Sequence, residues 1–275
     1  MRVAIVGLGL MGGSFGLGLK NALPEVYLLG FDYNQSHQEE ALKLGLVDEI
    51  VDFEGIKSAD VIVLAIPVEG VIASLSRLED IHHDTTIIDL GSTKEKIVQM
   101  TPQSIRKNFV AAHPMAGKEK FGPLAADAHL YAARTVVLCS VEESGEVHVK
   151  KALTLFEALK MQIVYMDAKA HDLHAAYISH LPHAISYALA NTVLQQEDAK
   201  SILALSAGGF RDMSRIAKSS PQMWSDIFQQ NRTNLLQTLG DFEGEIAKVK
   251  SLIQKESWED LEAWMQEATT LHKIL

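Results

Sequence analysis

The sequence predicts a doubly wound, mainly parallel α/β sheet followed by an all-α C-terminal domain. Three observations carry this. Short runs rich in Val, Ile and Leu alternate with helix-like stretches as far as residue 167, the mark of strands buried on both faces. A Gly-x-Gly-x-x-Gly pattern, Gly7, Gly9 and Gly12, directly follows the first run. Beyond Asp167 only segments of helical period remain. The expected division is therefore 1–167 and 168–275.

The expected strands are RVAIVG (2–7), VYLLGFD (26–32), DVIVLAI (60–66), TTIIDLG (85–91), FVAAH (109–113), TVVLCS (135–140) and QIVYMD (162–167). A helix over 93–101 follows the fourth. Residues 168–197 read as one helix interrupted at Pro182, because an interior proline removes a hydrogen bond and crowds the preceding turn. Ser219, Ser220 and Pro221 supply the cap and first-turn proline of the next helix. Along it Phe228, Asn231, Leu235, Leu239, Phe242, Ile246, Val249 and Ile253 recur at spacings of three and four. Such a stripe packs either within the chain or across a dimer seam. Ser257 and Asp260 form a capping-box pattern that opens a final helix.

Of the 275 residues, 47% are hydrophobic and 22% charged, ample material for a core. No apolar run approaches the roughly 18 residues that span a bilayer. The start, MRVAIVGLGLMGG, is apolar behind one Arg, yet it lacks a small-residue cleavage site and reads as strand and turn rather than signal peptide. Lys plus Arg total 25 against 35 Asp plus Glu, a net charge of −10. This balance argues against a nucleic-acid binder, so an anionic ligand requires a local basic pocket. The single Cys139 lies in an apolar strand, permits no internal disulfide and suits the reducing cytoplasm.

The glycine pattern stands between a strand and a helix, the context of a Rossmann-type dinucleotide site. Gly7 permits the tight turn, Gly9 lets the backbone approach a pyrophosphate, and Gly12 lets helix and strand lie close. Asp32, 20 residues after Gly12 at the end of the second run, is placed for the adenosine ribose hydroxyls. A 2′-phosphate would meet like charge there, and Tyr33, Asn34 and Gln35 supply no arginine. NAD is therefore expected in preference to NADP. The alternative is a glycine-rich structural turn.

Two further stretches close expected strands at their C-terminal ends, where open α/β sheets bind ligands: Gly91-Ser92-Thr93-Lys94 and His113-Pro114-Met115-Ala116-Gly117. A neutral His113 can accept a hydroxyl proton as hydride leaves; alternatively local backbone satisfies it. Ser92 either orients the same hydroxyl or caps helix 93–101. Of His171, His174, His180 and His183, the first pair points away from the second at about 100° per residue, which disfavours a metal site. Pro182 instead re-aims His180 and His183 towards a cleft, or one of them satisfies carbonyls freed at the kink. Arg211 and Arg215, four apart beside Asp212 and Lys218, form either the chain's best anion clamp or a solvated basic face. Trp224 reads as core.

Together GLGLMGGS, DLGSTK, AAHPMAG, SHLPHA and RDMSRIAKSSPQMW resemble the prephenate/arogenate dehydrogenase family of tyrosine biosynthesis. The resemblance spans nearly the whole chain. It implies an NAD-binding domain, a helical domain that forms a homodimer, and an active site between them. It further implies His113 as the catalytic histidine and Ser92 as its partner at the ring hydroxyl. His183 and Arg215 would hold the carboxylate-bearing end of the substrate, with Glu119 and Asp212 near that arginine. Met11 would join Gly7, Gly9, Gly12 and Asp32 at the cofactor. No metal is implied.

The reaction so implied is oxidative decarboxylation of prephenate, in which hydride leaves C4 and loss of CO2 makes the ring aromatic. Aromatisation drives it, and positioning is the protein's main task. Arogenate, an ammonium in place of a keto group, is the alternative substrate. A β-hydroxyacid-type dehydrogenase would need a catalytic lysine where 168–190 offers histidines, with Lys169 at its very start. The chain has no room for a chorismate mutase or ACT-like segment, so a monofunctional enzyme is expected.

Overall fold

The computed structural model describes residues 1–274. Eight strands form one sheet: β1 (Arg2–Val6), β2 (Tyr27–Phe31), β3 (Glu49–Ile50), β4 (Val61–Leu64), β5 (Thr86–Asp89), β6 (Phe109–Pro114), β7 (Thr135–Cys139) and β8 (Gln162–Met166). Their order is β3-β2-β1-β4-β5-β6-β7-β8. Pairing is parallel except between β6 and β7, after which β8 again runs parallel to β7. All seven expected strands are present. The additional strand β3 has two residues, too few to leave a hydrophobic signature, and exists through its pairing of Glu49 with Leu29.

Side chains alternate across β1. Val3 and Ile5 enter a core with Phe15 and Leu19 of α1 (Leu10–Ala22), beside Leu155 and Phe156 of α5 (Glu146–Ala158). Ala4 and Val6 enter the opposite core with Val71 and Leu75 of α3 (Val68–Arg77) and Ile97 of α4 (Glu95–Met100). The remaining helix of this half, α2, spans Gln35–Lys43. Each fully buried Val, Ile or Leu stabilises by roughly 1.5–3 kcal/mol, so these paired cores fix the C-terminal ends of the strands in place.

After β8 the chain is helical: α6 (Ala168–Ala175), α7 (Leu181–Leu194), α8 (Ala199–Ala204), α9 (Gly208–Ser214), α10 (Pro221–Gln230), α11 (Arg232–Gln254) and α12 (Trp258–Thr269). Three local expectations are corrected. The proline kink is a π-turn over Ala176–His180, in which Leu181 N–H reaches back to the Ala176 carbonyl. This wider turn makes room for Pro182 without breaking the axis. The long striped helix is two helices, because Asn231 leaves helical geometry (φ −108°, ψ 33°). Its amide points inward to the Asp172 carbonyl (2.6 Å) and His180 Nδ1 (3.1 Å). Finally, α12 begins after Ser257 without any side-chain cap from that serine. Ser220 does cap α10 through Met223 N–H. Among the described residues no helix is long and apolar enough to cross a membrane.

Candidate active site

The site is assembled from the C-terminal ends of β1, β5 and β6 and from helices of the second half. At β1 the glycines have no room for side chains. Gly7 has φ +92°, and a Cβ there would lie 2.4 Å from the Ala65 carbonyl oxygen at the end of β4. At Gly12 a Cβ would lie 1.9 Å from the Gly7 carbonyl oxygen. Gly9 faces open space instead, at the N-terminus of α1, which has neither a side-chain cap nor an acidic residue in its first turn. Free N–H groups beneath an open surface fit a pyrophosphate. The place is the switch point between β2-β1 and β4, where such sheets take nucleotides. These residues therefore fit NAD.

Asp32 Oδ2 accepts Leu8 N–H (2.8 Å) and Oδ1 accepts Asn34 N–H (2.8 Å), fixing the carboxylate beside the glycine turn. Met11 sits in the first turn of α1, where its carbonyl accepts the Tyr131 hydroxyl (2.8 Å). One arginine does approach the ribose end: Arg77, from α3, donates to the Tyr33 hydroxyl (3.2 Å). Tertiary contact brings it there across 44 residues, beyond what the local sequence shows. It stacks on Phe53 at 3.6 Å and lies 3.9 Å from Glu54.

His113 ends β6. Its Nδ1 lies 2.8 Å from Nε2 of His171 on α6, so a side chain and not local backbone occupies that nitrogen. Burial, together with neighbouring His171, Lys94 and His180, holds its imidazole well below the ordinary range and keeps it neutral. Ser92, half-buried, follows Gly91 in the turn after β5. That turn is tied to β6 by a fully buried ion pair between Lys94 and Asp89. Lys94 Nζ also donates to the Ala112 carbonyl (2.8 Å), while Asp89 accepts Gly91 N–H (3.0 Å) and Ala112 N–H (3.2 Å). The serine and the histidine thus stand on two strand ends locked to one another.

The π-turn overturns the expected orientation of the histidines on this helix. One inserted residue absorbs about 100° of rotation, and His180 comes back to the side of His171. Both are buried while His174 is exposed. His183 meets the kink as one of the alternatives required: its Nδ1 donates to the Ser179 carbonyl (2.9 Å). The ring stacks on Trp224, centroids 3.5 Å apart and planes at 22°. Burial lowers its pKa, Glu119 opposing and Arg215 reinforcing the shift. His183 is therefore a neutral acceptor at Nε2 rather than a fixed cation.

Arg211 and Arg215 do not act as a pair. The helix α9 stops at Ser214, and Arg215–Lys218 is a 3₁₀ turn, so their side chains diverge. Arg215 reaches Glu119, in the loop after His113, whereas Arg211 is exposed with only a long contact to Ser206 (3.5 Å). Asp212 is exposed and, among the described residues, makes no side-chain hydrogen bond or ion pair. Sequence reasoning missed His171, Asp172, Asn231 and the Asp89–Lys94 pair. The adjacent His171-Asp172 dipeptide was the one available signal. Trp224 is core, as expected, but it is also the floor beneath His183.

The fold and this site define an NAD-dependent oxidoreductase. Residues 15–165 match the family described as prephenate dehydrogenase, nucleotide-binding domain, and residues 167–267 its dimerization domain. A Bacillus subtilis prephenate dehydrogenase is 34% identical over 94% of this chain and 72% of its own length. The structure of prephenate dehydrogenase from A. aeolicus, in complex with hydroxyphenyl propionate and NAD+, superposes with a TM-score of 0.93 at 32% identity, covering 99% of this chain and 97% of that one. Synechocystis arogenate dehydrogenase has a TM-score of 0.83 at 28% identity, covering 99% of each chain. The chain belongs to the prephenate dehydrogenase family.

Proposed function

We propose that the chain oxidatively decarboxylates prephenate to 4-hydroxyphenylpyruvate with NAD, a step of tyrosine biosynthesis in the cytoplasm. The observation that carries this reading is His113: half-buried and neutral near the C-terminal end of its strand, with one nitrogen facing His171 and the other without a hydrogen-bond partner among the described residues. NAD, when bound, supplies the hydride acceptor. His113 Nε2 takes the proton of the C4 hydroxyl, and Ser92 orients that hydroxyl. Arg215 binds the carboxylate-bearing end, with His183 packed beside it and Glu119 and Asp212 nearby. Gly7, Gly9, Met11 and Gly12 hold the pyrophosphate, and Asp32 the ribose. The ring carboxylate leaves as CO2 without an acid from the protein, because aromatisation drives the step.

The working unit in this reading is a homodimer joined through the C-terminal helices, with residues 1–167 and 168–275 as its two domains. Arogenate is the second reading, and Glu119 favours it: a carboxylate beside a neutral His183 suits an ammonium better than a keto group. Following NADH absorbance with prephenate, arogenate and a 3-hydroxy acid tests the assignment. The expected result is turnover on prephenate with kcat/KM above that for arogenate, and none on the hydroxy acid. His113→Ala should lower kcat roughly 10²-fold or more; near-normal turnover would remove the base.

A further inference from the structure

We propose that Asp172, acting through His171, sets the tautomer of His113, placing its proton on Nδ1 and leaving Nε2 bare to receive the substrate proton. This rests on the reading of His113 as base and names two positioning residues for it.

The direction of each hydrogen bond follows from its neighbours. Asp172 Oδ1 faces Lys94 N–H (2.7 Å) and His171 Nδ1 (2.8 Å), while Oδ2 faces Glu95 N–H (2.9 Å). Backbone N–H groups only donate, so both carboxylate oxygens accept, and the ring nitrogen facing Oδ1 carries a proton. A neutral imidazole has one N–H, which leaves His171 Nε2 an acceptor. The group facing it at 2.8 Å is His113 Nδ1, which must then be the donor. Backbone donors anchor both oxygens of the Asp172 carboxylate, which sets the direction of the first link.

The same carboxylate caps the first turn of α4, whose start is the Ser92 turn, because its other partners are Lys94 and Glu95 N–H. One buried side chain thereby fixes the base's tautomer and the start of the helix that follows the serine turn. Asn231 holds Asp172 in place by donating to its backbone carbonyl (2.6 Å). In a serine protease a carboxylate orients its histidine directly, and amidation there costs about 10⁴ in kcat through the wrong tautomer. Here a second imidazole is interposed, and a smaller loss, about 10²-fold, is expected.

Nitrogen-15 NMR of the histidine-labelled full chain reads the tautomer without substrate, with His113→Gln assigning the resonance. The expected wild-type spectrum shows His113 protonated at Nδ1 and bare at Nε2. A proton on Nε2, as an imidazolium at His171 would impose, overturns the proposal. In turnover, His171→Gln keeps an amide oxygen facing His113 and should retain about a tenth of wild-type kcat or more. His171→Leu and Asp172→Asn should lose about 10²-fold in kcat, with KM for prephenate and NAD within about threefold and mixed His113 tautomers in the spectrum. Equal losses in the Gln and Leu variants would mark a merely structural contact and refute the relay. Undiminished turnover in His113→Ala sinks the base assignment instead, a result the tautomer spectrum does not share.

Discussion

Arg215 donates to Glu119 and so ties the helical half to the loop that leaves β6 just after His113. The Arg215 side chain is 58% exposed, and pairs this open are worth about 0–1 kcal/mol. A substrate carboxylate can displace Glu119 at small cost. Arg215→Ala should raise KM for prephenate about tenfold or more with KM for NAD unchanged, since a charge-assisted hydrogen bond is worth ~1.5–3 kcal/mol. Glu119→Gln should lower KM for prephenate a few-fold by freeing the guanidinium, yet raise it for arogenate by removing the ammonium's counter-charge. Steady-state kinetics on both substrates reads the opposite signs directly.

The Lys94–Asp89 pair is the reverse case, wholly buried between the turns after β5 and β6. Removing one partner leaves an unpaired charge in the interior, at a cost of about 3–5 kcal/mol. Lys94→Met should depress Tm by roughly 10 °C, given ~2–4 °C per kcal/mol for a chain of this size. The double variant Lys94→Met, Asp89→Leu should recover part of that loss, because no stranded charge remains. Thermal unfolding by circular dichroism measures both.

Burial holds the imidazoles of His113, His180, His183 and His148 below the ordinary 6.5, and pushes His180 down to about 4. Below pH ~6.5 the unfolded chain binds protons at these sites that the folded chain does not, so stability falls with pH. Above that pH they contribute no slope. Tm should therefore be flat from pH 7 to 8 in respect of these groups and decline by roughly 5 °C or more towards pH 5. The acid limb of kcat/KM should lie well below the ordinary imidazole value of 6.5, since desolvation holds His113 neutral; a limb at 6.5 or above would contradict that setting.

The parallel sheet and the nucleotide turn were legible because each has a local cause: a run of β-branched residues, or glycines that must meet Ala65 and Gly7 carbonyls without a Cβ. The positions of His113, Ser92 and Arg215 at or near element ends were legible as well. What could not be read was the contact set by helix geometry. A regular 100° progression separates His171 from His180, and only the π-turn at Ala176–His180 rejoins them. Asn231 likewise looked like one more position on a helical stripe, although its amide supplies the bonds that hold Asp172 and His180. Arg77 reaches Tyr33 from an element the local motif does not include.

The two kinds of glycine at the nucleotide turn should separate on substitution. Gly9→Ala meets nothing within 4 Å, so Tm should hold while the affinity for NAD falls about tenfold as the methyl intrudes on the pyrophosphate. Gly12→Ala forces a Cβ against the backbone of Gly7, and overpacking of this kind costs about 1–3 kcal/mol or more. It should lower both Tm and NAD affinity. Protein fluorescence quenching by NAD, with unfolding curves for each variant, distinguishes the two.

The stripe along α11 divides at its middle. Leu235 and Thr238 are buried within the chain, whereas Ile246 and Ile253 are each 50% exposed. Trp258 and Met265 of α12 are exposed nearby in sequence at 57% and 49%. The proximal half of the stripe is thus mostly intrachain core, and among the described residues the distal half is only partly covered. Apolar area withdrawn from water is worth about 25 cal/mol per Å², and monomers rarely leave large continuous patches open. Ile246→Lys with Ile253→Lys should therefore convert a dimer to a monomer at micromolar concentration in analytical ultracentrifugation, while Leu235→Ala should lower Tm within each protomer. A double lysine variant that sediments as the wild type does would place the seam on another face.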